Sequence, residues 1–153
     1  MRKSLLVELA AVVVTLLLGA CGGSPSGPSN TPDFTGVWQG NWQRTSCSGP
    51  ACDTVPPSGA LRLTLTQNGN EVQGTVEVDS LLIATSGVVN SSGALALTGS
   101  ARVQEATARL SNWSTTQSGT NMSGAFTFTL TADNPLIGAQ VVQVALQNVT
   151  KRS

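Results

Sequence analysis

The residues best suited to chemistry are three cysteines, Cys21, Cys47 and Cys52, in a chain of 153 residues that contains no histidine. Without histidine a Ser-His-Asp triad cannot be assembled, and a serine–lysine dyad would rest on Lys151, the lysine that remains beyond Lys3. Paired carboxylates could act on glycosidic bonds. The close acidic group is Glu71, Glu77 and Asp79. On an extended strand Glu71 and Glu77 face away from Val72 and Val76, which turns them to solvent. No phosphate-cradling glycine loop precedes a helix-like segment. These patterns predict no catalytic residues, no cofactor and no enzyme activity.

Cys47 and Cys52 stand in Cys-Ser-Gly-Pro-Ala-Cys. Two thiols without histidine make half a metal site, so no metal is expected. Thioredoxin-like redox motifs carry two intervening residues at a helix start, unlike this loop of Ser48, Gly49, Pro50 and Ala51. Outside the cytoplasm the pair reads as a disulfide staple.

Cys21 sits in a different setting. Arg2 and Lys3 precede an apolar run, Leu5 to Leu18, of 14 residues interrupted by Glu8. That is short for a membrane span, which needs about 20 residues, and fits the core of a signal peptide. The following Leu18-Gly19-Ala20-Cys21 resembles the lipobox of bacterial lipoproteins. The resemblance implies cleavage before Cys21, a diacylglyceryl group on its thiol and acylation of the new amino terminus. Two or three chains would make a durable membrane anchor. The alternative is an ordinary secretory signal with a chance cysteine. Gly22, where proteobacterial inner-membrane lipoproteins tend to have Asp, implies the outer membrane. Residues 1–20 are thus expected to be a signal peptide, and 21–33 the lipidated cysteine and its linker. Gly22 to Pro32, rich in Gly, Ser and Pro, reads as a tether of at most about 35 Å.

From Cys21 onward seven acids meet six bases, a formal net charge of −1, and the bases are scattered. That excludes the clustered positive surface that nucleic acid requires.

The elements that must carry these groups are strands. Leu61, Leu63 and Leu65 alternate with polar residues. Asn68-Gly69 supplies a hairpin signal, and Val72, Gly74, Val76 and Val78 return on one face. Leu81 to Val89 reads as a strand that could be buried on both faces. Leu95, Leu97 and Gly99 follow. In Ala106 to Thr116, Ala108 and Leu110 share a face while Trp113 falls on the other parity, so a bulge separates them or Trp113 points out. Met122, Gly124, Phe126, Phe128 and Leu130 form the cleanest stripe. Asp133 to Gly138 reads as a loop, and Val142, Val144 and Leu146 close the set. A frame recurs at Gln67-x-Gly69 and Gln117-x-Gly119, in each case followed by an inward glycine, Gly74 or Gly124, that lets the next strand bend.

With a first strand near Phe34 to Arg44, the count is about eight, the number that closes a small barrel around side chains or one small ligand. The expected fold is all-β, an eight-stranded antiparallel meander barrel over residues 34–150 with a tail at 151–153. A two-sheet sandwich is the alternative. A membrane-spanning barrel would need aromatic girdles that three Trp, three Phe and no Tyr cannot supply.

The opening Gly36-Val37-Trp38-Gln39-Gly40-Asn41-Trp42 resembles the first strand of the calycins, the superfamily of lipocalins and avidins. That resemblance implies a lipocalin-like barrel with Trp38 plugging one end and Lys151 or Arg152 packed over it, a pairing with a cation–π basis. As bare residues, Trp38 and Trp42 read equally as core aromatics beside the small Gly36 and Gly40.

Two functions follow as expectations. One is an accessory role at the envelope, through surface contact of loops such as 46–58 and 133–138 with partner proteins. The other is binding of a small apolar ligand or lipid in a cavity lined by Leu63, Val76, Leu97, Phe126, Phe128 and Val144.

Overall fold

The computed structural model describes residues 31–153, apart from Pro135. The signal peptide expected at 1–20, the lipidation expected at Cys21 and the part of the expected linker up to residue 30 lie outside the described residues. Eight strands follow one another: β1 (Gly36–Ser48), β2 (Ser58–Asn68), β3 (Glu71–Val78), β4 (Leu81–Val89), β5 (Leu95–Val103), β6 (Ala106–Ser118), β7 (Asn121–Ala132) and β8 (Ala139–Arg152). A single 3-10 turn, Cys52–Thr54, interrupts the β1–β2 loop. Each strand pairs antiparallel with the next, and β8 returns to β1, which closes the barrel. Closure rules out the sandwich, because neither β1 nor β8 is left as an edge.

Alternation sets the interior. On β2, Leu61, Leu63 and Leu65 are buried between exposed Arg62, Thr64 and Thr66. β4 obeys the same rule, against the expectation of two buried faces: Ile83 and Val89 point in, while Leu82 is 60% and Val88 49% exposed. A closed barrel has one apolar interior, so the outer face of β4 stays in solvent. The first strand starts later and runs further than expected. β8 continues through Lys151 and Arg152, so two of the three residues assigned to a tail belong to the barrel.

Trp113 is buried, and a bulge explains its parity. Asn112 takes φ +49° where the β6–β7 register shifts between Ser111 and Ser114, which carries Trp113 back inside with Thr115. β8 uses the same device. Asn148 has φ +53°, and the register with β1 shifts between Gln39 and Asn41, so Leu146 and Val149 are both buried. Asparagine tolerates this left-handed conformation better than most residues. Opposite the β8 bulge, Gly40 leaves no room for a side chain: a Cβ there would lie 2.6 Å from Val149 Cα.

The recurring Gln-x-Gly frame is one local structure used twice. The Gln67 side chain donates to the Gly69 carbonyl and Gln117 to that of Gly119, both at 2.9 Å. Each glycine takes positive φ, near +60°, in the first position of a two-residue turn. Among the described residues every strand and every buried core side chain lies within 34–152, a span that closes the barrel around a contiguous core of its own.

Candidate functional site

The two ends of the barrel differ. At one end Trp38 and Phe34 are both fully buried, and the Trp38 indole N–H donates to the Phe34 carbonyl at 2.8 Å. Lys151 Nζ lies 5.6 Å from the Trp38 ring centre. It also stands 3.9 Å from the Asp33 carboxylate. Hydrogen bonds from the Thr35 backbone N–H and hydroxyl hold the Asp33 pKa below its ordinary value, with a smaller contribution from the Lys151 charge. The plug named from the sequence is therefore Trp38 with Lys151. Arg152 is not part of it: the strand's alternation turns it outward, where its Nε donates to Gln39 Oε1 at 3.0 Å. Two fully buried aromatic side chains fill this end.

The opposite end is bordered by the β1–β2 loop. Cys47 and Cys52 form a disulfide, with Cα atoms 5.8 Å apart. Arg44 continues the inward face of Trp38, Gly40 and Trp42. Its guanidinium donates to the carbonyls of Cys52 (2.8 Å) and Val55 (2.9 Å), and its backbone N–H donates to Pro57. Buried Gln140 of β8 donates to the Ala51 carbonyl at 3.1 Å. A disulfide, a forked cation and an amide thus fix the 3-10 turn at the rim. On the far side, Arg102 and Asp133 pair bidentately and tie the base of the β7–β8 loop to β5.

Beneath this rim is a cavity of about 250 Å³. Its walls are Trp42 of β1, Val78 and Leu81 flanking the β3–β4 turn, Phe126, Phe128 and Leu130 of β7, Val142 and Val144 of β8, and Val55 of the loop. Thr54, Asp79 and Gln140 are the polar members. Phe126 is fixed from behind by Trp113, stacked at 4.6 Å between ring centres.

Of the six residues expected to line a cavity, Phe126, Phe128 and Val144 do so. Leu63, Val76 and Leu97 do not: they are at most 1% exposed and packed in the core. Leu63 lies opposite Trp38 in the β1–β2 register and opposite Val76 in the β2–β3 register. Alternation reports whether a side chain faces in, and says nothing of its depth along the barrel axis. Trp42, Val55, Leu81 and Gln140 were missed as wall residues for that reason. The disulfide loop was the available signal, since a long stapled loop marks one end.

A second hollow, about 510 Å³, lies on the outer face over the β8 bulge, between Gln39, Asn41, Arg62, Glu77 and Arg152. Asp79 of the β3–β4 turn borders this hollow as well as the cavity, and Gln39 and Arg152 already bond each other.

Fold and site together define a closed eight-stranded meander barrel, plugged at one end and carrying a small apolar cavity at the other. Comparison with protein-family models, curated proteins and solved structures finds no match for this chain.

Proposed function

We propose that this protein is a bacterial cell-envelope lipoprotein, anchored by lipid on Cys21, and that its barrel binds a small, mainly apolar ligand at the open end. The observation that carries the binding reading is the cavity of about 250 Å³ with predominantly apolar walls. Binding sites for small molecules are concave and mostly apolar with a few placed polar groups. At about 30 Å³ per water-sized group, the space suits about eight non-hydrogen atoms. The anchor rests on the Leu18-Gly19-Ala20-Cys21 motif. The outer membrane is the location that Gly22 favours.

One observation favours the second reading, contact with an envelope protein through loops. Leu136 is 91% and Ile137 54% exposed in the β7–β8 loop, an apolar pair of the kind that protein contacts bury.

Two measurements test these readings. Full-length protein made in a bacterium fed labelled fatty acid should carry the label, and Cys21→Ser should abolish it; an unlabelled wild type overturns the anchor. Native mass spectrometry of residues 31–153, purified from a periplasm, should show a ligand mass that organic solvent removes. A bare polypeptide that also binds no added apolar probe overturns the cavity reading and leaves the loop contact.

A further inference from the structure

Among the described residues the buried polar atoms without a partner are Trp42 Nε1, Thr85 Oγ1 and Gln117 Oε1, and of these residues Trp42 alone belongs to the cavity wall. A buried N–H that has lost water and gained no acceptor is unfavourable, and such groups in folded proteins call for an explanation. Its surroundings indicate one. Gly59 lies on the inward face of β2, in line with Leu61 and Leu63. A Cβ on Gly59 would stand 2.6 Å from Trp42 Nε1 and would also collide with the Asp79 carboxylate. The missing side chain therefore brings an unpaired donor and an acceptor to the same corner. Asp79 Oδ1 is committed to the Ala60 N–H at 2.8 Å, which leaves Oδ2 without a donor among the described residues. Asp79 is also the ionisable member of the cavity wall.

We propose that the cavity takes a small, neutral, hydroxyl-bearing apolar molecule, an alcohol or phenol, whose hydroxyl accepts from Trp42 Nε1 and donates to Asp79. This rests on the cavity being a binding site. A hydroxyl meets both needs because it accepts and donates through one atom. A carboxylate ligand could accept from the indole but would face the Asp79 charge and could not donate to it. An ammonium could donate to Asp79 but would leave the indole unpaired. Nε1 is closed off from solvent by its neighbours. Asp79, exposed on the two-residue β3–β4 turn, crowds the same Gly59 position as Nε1 and would turn aside, releasing the Ala60 N–H, to admit the hydroxyl. The apolar part lies against Phe126, Phe128 and Val144.

The probes are 1-heptanol, heptanoate, heptylamine and toluene, titrated into residues 31–153 and followed by nitrogen–proton correlation spectra of the indole N–H groups. Heptanol should bind most tightly of the three heptyl probes and shift the Trp42 indole signal. Trp42→Phe should weaken heptanol about two- to tenfold, the scale of one neutral hydrogen bond, and leave toluene unchanged. Asp79→Asn keeps the turn and removes the charge, so heptanoate should gain on heptanol. If Trp42→Phe fails to fold, the wild-type indole shift and Asp79→Asn decide. If heptanol and toluene bind while the Trp42 signal stays still, the hydroxyl assignment is wrong and the cavity reading stands. Heptanoate or heptylamine binding as tightly as heptanol also overturns it. If no probe binds, the cavity reading itself fails.

Discussion

Lys151 Nζ lies 5.6 Å from the centre of the Trp38 ring, so the first and last strands are joined by a cation over an aromatic face as well as by their hydrogen-bonded ladder. Lys151 is partly buried, and its stem covers the inward Gly36, where a Cβ would lie 2.9 Å from Lys151 Cε. The charge and the methylenes therefore act together.

Lys151→Ala should lower stability by about 1 kcal/mol, from a cation–π term of about 0.5–1 kcal/mol and some lost packing. Trp38→Ala should cost about 3–5 kcal/mol, because a fully buried indole leaves a cavity. Urea denaturation of both variants checks the ordering. Arg152→Ala should be nearly silent, since that guanidinium bonds Gln39 on the outer face.

Asp33 gives the closed end a pH dependence. Its folded pKa lies below the ordinary value because the carboxylate accepts from Thr35. A depressed carboxylate contributes stability that is present above the unfolded pKa, near 3.8, and lost as pH falls through the lower folded value. Carbon NMR should show Asp33 titrating below the ordinary aspartate value. Asp33→Asn should leave this end insensitive to acid in that window. An Asp33 that titrates at or above the ordinary value would refute the assignment.

The rim of the cavity is held twice. Removing the Cys47–Cys52 bond, which spans a sequence separation of 5, should cost about 2 kcal/mol by loop-closure entropy. The loop should nonetheless stay in place, because Arg44 and Gln140 still bond its carbonyls. Arg44→Met removes the fork, and two charge-assisted bonds at about 1.5–3 kcal/mol each make it the larger loss. Hydrogen exchange of residues 51–57 separates the two: modest in Cys47→Ser/Cys52→Ser, pronounced in Arg44→Met.

Gly40 faces the β8 bulge at a distance that admits no side chain. Gly40→Ala should destabilise by about 1–3 kcal/mol, the range for forced overpacking against backbone. Ala60→Gly, on the exposed face of the neighbouring strand, should cost less than about 1 kcal/mol. Thermal melts of the pair check the contrast.

Much of the barrel was legible in advance. The stripes of β2 and β7 and the Gln-x-Gly turns gave strand identity, direction and inward face, because alternation and turn chemistry are local properties. The disulfide was legible because the two cysteines are close in sequence and no histidine competes for them as metal ligands. The buried place of Trp113 was not, since parity alone left a bulge and an outward ring equally open. Asn112 decides it only within the pairing of β6 with β7.

The sequence by itself determined an all-β chain of eight strands, the inward stripes of β2 and β7 and its staple, since each follows from neighbours a few positions apart. Tertiary structure decided what depends on depth along the barrel. It chose Lys151 over Arg152 for the plug, buried Leu63, Val76 and Leu97 in packed core, and gathered Trp42, Gly59 and Asp79 at one corner. The reason is physical: strands tilt as a sheet closes, so residues at one level come from unrelated positions in the chain, fixed by register and not by local pattern.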